Sequence, residues 1–312
     1  MVRQREKLTK LERIFFIATL LGGIVLLAAP VWWLSLEADP VVNIPAPPPL
    51  PKPNAFDYYV SAGNAITYPM DLYRAIIEPG NPSYKSANRV TLPNGKIVTR
   101  PFTLSEKESL LQQNAGALQT LRRGLTYPYR EPPARSFLAT FPHYASYRQL
   151  ICLLILEGQV KAGRGNWNGA AYCYLDAIRF GTDVARGATN IGREMGLGHQ
   201  SSGQRHLWGT VNHLTAAQAR AAARRLEKIM KNDVPLSATL QEEKWMRQTA
   251  LLEIFHDTDW RNKLLAFYNM ENMQSGQGAQ SANLHLWFVG KRTVMRNYSK
   301  LMDESIAAAR RP

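Results

Sequence analysis

Cysteine is nearly absent from this 312-residue chain, which has Cys152 and Cys173 and no others. A disulfide-stapled scaffold is thereby excluded, because such folds use several bridges in place of a core. No P-loop, GxSxG elbow, HExxH pair or dinucleotide fingerprint occurs either. Long apolar runs are scarce. Apart from residues 14–34 the best candidate is Leu150–Leu156, which is too short to cross a bilayer, so a multi-span channel is not expected. Acid is in short supply too. There are 24 Asp and Glu against 38 Lys and Arg, a net charge of +14. A basic body favours anionic neighbours such as lipid headgroups, acidic wall polymers, nucleic acid or acidic proteins. The plainer reading is a solvated surface with no such partner.

What is present begins with residues 14–34, IFFIATLLGGIVLLAAPVWWL, which carry no charge. At the helical rise they extend about 31 Å, which predicts a transmembrane helix. Arg3, Arg5, Lys7, Lys10 and Arg13 precede it, against Glu6 and Glu12. Glu37 and Asp39 follow, with no basic residue before Lys52. The positive-inside rule then places a cytoplasmic tail at 1–13, with Trp32 and Trp33 at the outer interface. The expected localisation is the bacterial inner membrane, single-pass, with the lipid bilayer as a partner through 14–34. A cleaved signal peptide is the competing reading. Ala18 and Gly22 give one small-xxx-small pair.

Residues 35–53 read as a proline-rich linker, extended and semi-rigid over about 30–45 Å. The remainder, 54–312, is expected to be one extracytoplasmic helical domain. Roughly 260 residues are enough for a sizeable core. Apolar spacing predicts a helix over 54–77, kinked or split at Pro69, and a second from Thr103 to about Leu125. Thr103 with Glu106, and Ser105 with Glu108, offer two overlapping capping boxes. VTLPNGKIVTRP between them suggests one small β-hairpin near 90–99, turning at Asn94–Gly95. Helices follow from His143 to Gly163 and from Trp167 to about Arg186. Seven glycines between Gly181 and Gly209 mean either a tight helix crossing or a broken, mobile segment. Thr215 and Gln218 cap a helix to about Lys231, and Ser237 caps another to about His256. Residues 269–283 are Gly/Gln/Ser-rich and read as a mobile loop before a last helix, Leu284–Ala309. The fold class is all-α: a helical bundle or diverged α-solenoid behind the N-terminal helix.

One hairpin resembles a tetratricopeptide repeat. Gly158, Gly165, Trp167, Ala170, Tyr174, Ala177 and Ile178 fall at that repeat's small and aromatic positions. The resemblance covers about one diverged repeat, residues 151–181. The first-helix Trp, Leu and Tyr are replaced by Leu154, Glu157 and Lys161, and the closing proline is missing. The order of anchor, proline tether and helical body also resembles uncharacterised single-pass bacterial envelope proteins.

Several constellations invite chemistry. His199, His206 and His213 are seven apart, which puts them on one helix face but about 10 Å apart per step. One zinc needs ligands roughly 2 Å away, so no metal is expected and a packed or partner-facing seam is the better reading. His256-Asp257-Thr258-Asp259 sits at a helix end, where capping explains it without catalysis. Glu243 and Arg247 have the spacing of a structural ion pair. Cys152 and Cys173 face each other across the hairpin, as two buried small hydrophobes or, if their Cβ atoms meet, a disulfide. Arg292, Arg296 and Lys300 make a basic stripe suited to phosphate or wall-polymer contact, or a solvated face.

No catalytic, cofactor-binding or metal-binding residue is expected, and no cofactor. The expected function is a membrane-anchored protein–protein interaction or scaffold module with a protein partner. Trp167, Tyr172, His199, His206, His213, Arg292, Arg296 and Lys300 are its candidate surface. The rivals are an envelope hydrolase using carboxylates such as Glu243 or Asp257, and a binder of anionic wall polymer or nucleic acid.

Overall fold

The computed structural model describes residues 10–35, 37–76, 89–91, 97–136, 139–186, 189–231, 233–275 and 289–311. The chain divides into two compact units. The smaller takes its residues from Met1–Pro45, Arg135–Leu138 and Lys244–Glu304; the larger from Ala46–Ala134, Ala139–Glu243 and Ser305–Pro312. Apart from one short hairpin the described secondary structure is helical.

Helix α1 (Lys10–Ser35) is continuous. It does not bear out the transmembrane helix expected over 14–34. Among the described residues no helix is long and apolar enough to cross a membrane. The single-pass anchor is therefore not supported. The large apolar side chains described in this helix, Phe15 to Val25, are exposed, Phe15 at 76%. Arg3, Arg5 and Lys7 lie outside the described residues, as do the side chains of Lys10 and Arg13, while Trp32 and Trp33 are exposed.

In the larger unit, Asn54 sets the start of α2 (Ala55–Asn64). Its Oδ1 accepts from Phe56 N at 3.2 Å and Arg130 N at 3.0 Å, and its Nδ2 donates to Arg130 O at 2.8 Å. The proline-rich segment is tied down here as well, since Arg130 donates to Pro49 O at 3.0 Å. The helix expected over 54–77 is split at Pro69, one of the two outcomes expected there. Tyr68 has φ +53°, and Pro69 opens α3 (Pro69–Ile76) at the position where a missing N–H costs nothing. The hairpin pairs β1 (Arg89–Thr91) antiparallel with β2 (Ile97–Thr99), Val90 opposite Val98. Its Asn94–Gly95 turn lies outside the described residues.

The helix expected from Thr103 to Leu125 is likewise split, into α4 (Leu104–Gln113) and α5 (Ala115–Gly124). Asn114 makes the break. It is buried, accepts from Thr67 N at 2.8 Å, and donates to Thr67 O at 3.2 Å and Leu110 O at 2.9 Å. Tertiary bonds through an amide side chain outweigh helix continuity there. Of the two capping boxes, Thr103–Glu106 forms. The Arg100 guanidinium, then the Thr103 backbone N–H, pull the Glu106 carboxyl down to about 2.

Helices α6 (His143–Gly163) and α7 (Trp167–Val184) follow as expected, turning through Gly165 at φ +78°. α6 is the centre of the unit: α2, α3, α4, α5, α7 and α8 (Asn190–Thr210) all pack on it. Every residue of Leu150–Leu156 is buried, so this apolar run is a core helix wrapped on all sides. A 3₁₀ turn, Val211–His213, leads to α9 (Ala216–Met230), which packs on α7 and carries the expected Thr215–Gln218 box.

In the smaller unit, α10 (Leu236–Phe255, from Lys244 on), α11 (Trp260–Ser275) and α12 (Lys291–Ala309) enclose Leu251, Ile254, Phe255, Trp260, Leu264 and Met295. Buried Lys291 donates to Phe255 O at 2.7 Å, at the carbonyl end of α10, and to Asp39 Oδ1 at 2.6 Å. Residues 269–275 of the expected loop are helical, and the rest of it lies outside the described residues. So does the expected start of the last helix, 284–288, with Trp287 and Phe288.

Candidate functional site: an apolar groove beside a glycine seam

The site grows from the antiparallel contact of α7 and α8. A Cβ on Gly181 would lie 2.6 Å from Gln200 N and 2.7 Å from Gly196 O. One on Gly196 would lie 2.6 Å from both Ala185 N and Gly181 O, and one on Gly203 would lie 2.8 Å from Ile178 Cγ1. Backbone therefore meets backbone, which only hydrogen at Cα permits. The glycine-rich stretch makes a tight crossing of two helices, Gly181 on α7 against Gly196 on α8, while Gly187 between them lies outside the described residues.

With the backbones so close, rings pair along the seam. His199 stacks on Phe180 (5.6 Å, 19°), His206 on Tyr174 (5.4 Å, 26°) and His213 on Trp167 (3.7 Å, 9°). The seven-residue spacing does mark one face, but each imidazole has its own aromatic partner. Among the described residues no group of three His, Cys, Asp or Glu could hold a metal. Burial falls along the series: His199 is buried, His206 half-buried and His213 exposed. Burial, then the charge of Arg148, pull His199 down to about 4. Tyr174 also packs against α6, where a Cβ on Gly158 would lie 2.2 Å from its ring.

Beside this seam runs an open groove of about 520 Å³. Gln204, Leu207 and Trp208 of α8, Val211 and Leu214 of the turn, and Ala219, Ala222, Ala223 and Leu226 of α9 line it. The α9 spacing is that of one helix face, and alanine at three positions keeps the floor low and open. Leu207 is buried, yet Trp208 is 80% exposed at the lip. His213 sits between Val211 and Leu214, so the Trp167–His213 stack borders the groove.

Charged side chains hold α9 in place. Arg225 donates to Asp176 of α7 at 2.5 Å and lies over the Tyr172 ring at 5.2 Å. Asp176 also faces Arg122 at 3.6 Å; Arg122 and Lys161 bind Glu157 at 2.6 and 2.9 Å and both donate to Cys173 Sγ. Burial raises the Asp176 carboxyl, with Arg225 and Arg122 opposing. Cys152 and Cys173 are free and buried, with no disulfide between them, and Cys152 Sγ donates to Arg148 O at 3.1 Å. Burial pushes their thiols up to about 12 and about 11.

Two buried acids escaped the sequence reading. Asp183, fully buried, accepts from the Tyr59 hydroxyl at 2.8 Å and Arg179 Nε at 3.0 Å. Arg179 four residues earlier was the available signal. Glu131 meets His143 Nε2 at 2.8 Å and the Tyr144 hydroxyl at 3.1 Å. Chemically this is an acid–base pair, but it is walled in by the stacked and edge-on rings of Phe56, Phe141, Tyr144 and Tyr147.

Other expected residues fall elsewhere. Buried Glu243 accepts from Asn190 N at 3.1 Å and so caps α8. Arg247 lies over the Phe267 ring at 5.8 Å. His256 bonds Asp39 at 2.7 Å; Asp257 binds Lys263 and accepts from Asp259 N, as helix-end capping predicts. Arg292, Arg296 and Lys300 are exposed on α12, Arg292 facing Glu37 and Lys300 facing Glu304, each at 3.9 Å. The structure thus brings Trp167 together with His213, while the α12 stripe belongs to the smaller unit. No protein-family model, curated protein or solved structure matches the chain.

Proposed function

We propose that the larger unit is a protein–protein interaction module that holds an apolar segment of a partner in the α8–α9 groove. One observation carries this reading: an indole, Trp208, stands 80% exposed at the lip of an alanine-floored groove. Exposed indoles beside apolar pockets are the usual energetic centres of interfaces, and truncating one costs about 2 kcal/mol or more of binding. The α6–α7 hairpin fits a diverged tetratricopeptide-like unit. Gly158 lies under Tyr174, Ala170 is buried, and Trp167 is set at the groove's border.

A photo-cross-linking residue at position 208 of the full chain tests the reading. The expected result is an adduct whose linked partner peptide is amphipathic, absent when the same residue replaces exposed Tyr73. Equal adducts from both positions, or none from 208, would overturn it.

A further inference from the structure

We infer that the groove's occupant is an acidic amphipathic helix of another protein, an inference that rests on the groove reading above. The walls themselves argue for a helix. Both α8 and α9 have their backbone groups paired within their own turns, so an extended peptide would find no strand edge to bond. A helix arrives with its own backbone satisfied and needs side-chain contact alone. Alanine at 219, 222 and 223 lets such a helix approach closely, and the groove volume suits a few large side chains from one face.

Charge argues for acid. The segment 198–231, which builds both walls, has Arg205, Arg220, Arg224, Arg225, Lys228 and Lys231 against Glu227. Arg225 is taken up by Asp176. Arg220 and Arg224 are exposed, one turn apart, each one position on from the floor residues Ala219 and Ala223. They put two positive charges on the exposed flank of α9 next to the apolar floor, where Glu227 is the one acid. Arg205 follows Gln204 on the opposite wall and is also exposed. A helix with leucine-type residues on one face and Glu or Asp on its flanks meets floor and charges together. Such rim charges speed association and select the partner.

Display selection on the full chain provides the test. The library holds helices with fixed Leu at i, i+3, i+4 and i+7 and with Glu, Lys or Gln at the flanks. The expected winners are net acidic, bind at least tenfold more weakly to Trp208→Ala, and weaken at least tenfold on the double change Arg220→Glu/Arg224→Glu. Lys-flanked helices should gain on that double variant. Both arginines are exposed, and unchanged thermal melting checks that the variant is folded. Neutral or basic winners that still depend on Trp208 would overturn the acid preference and leave the groove reading standing. No Trp208-dependent winners would overturn both. Self-association through Trp208 that excludes the peptides would make a second copy the occupant and overturn the inference.

Discussion

Gly181 and Gly196 face each other across α7 and α8 so closely that a methyl group on Gly196 would lie 2.6 Å from the carbonyl oxygen of Gly181. Gly196→Ala should therefore cost about 1–3 kcal/mol, because the neighbour is backbone and cannot swing aside. Gly198 lies two residues on in the same helix, with open space where its Cβ would stand. Gly198→Ala should stabilise by up to about 1 kcal/mol through helix propensity. Denaturant unfolding of the two variants reads both signs at once. A destabilised Gly198→Ala or a neutral Gly196→Ala would contradict the crossing.

His199 makes stability depend on pH. Its folded pKa of about 4 lies below the ordinary value of 6.5, so the unfolded chain takes up the proton more readily. The contribution is complete above about pH 6.5 and is lost as pH falls toward 4, some 3 kcal/mol in all. His199→Leu should remove that slope relative to the parent while other acid-sensitive groups act in both chains. Parallel stability curves from pH 7 to pH 4 would sink the assignment.

Tyr59 donates to the buried carboxylate of Asp183. Tyr59→Phe leaves that acceptor with one donor fewer at almost unchanged volume. The expected loss is about 1–3 kcal/mol in unfolding free energy. A change below measurement error would show that Arg179 and Arg186, at 3.0 and 3.9 Å from Asp183, suffice without it.

Cys152 and Cys173 should react with an alkylating reagent in unfolded protein and hardly at all in the native state. Burial disfavours their thiolates, and both lie in the packed hairpin. Mass spectrometry after brief labelling distinguishes these outcomes. Native labelling as fast as unfolded labelling would place a cysteine at the surface.

Much of the fold was legible because its signals are local. The Thr215–Gln218 box, the Gly165 turn and the limits of α6 are set by nearest neighbours. The split at Pro69 was legible as well, because proline acts through its own ring. The break at Asn114 was not, since Asn114 earns its place by bonding Thr67, 47 residues away. The histidines illustrate both sides. Their spacing predicted one face, but their aromatic partners come from a helix that runs the other way. The groove had no sequence signature of its own. Alanines in AQARAAARRLEKIM read as helix propensity until α8 sets Trp208 opposite them. Residues 14–34 read as a span from composition, but among the described residues no helix is both long and apolar enough to cross a membrane.

The most direct measurement is the affinity of a selected acidic amphipathic helix for the parent chain and for Trp208→Ala, taken at low and high salt. The expected result is at least tenfold weaker binding to the variant, an unchanged melting temperature because Trp208 is 80% exposed, and salt-sensitive binding to the parent. Equal affinity for the two proteins would contradict the groove as the docking surface.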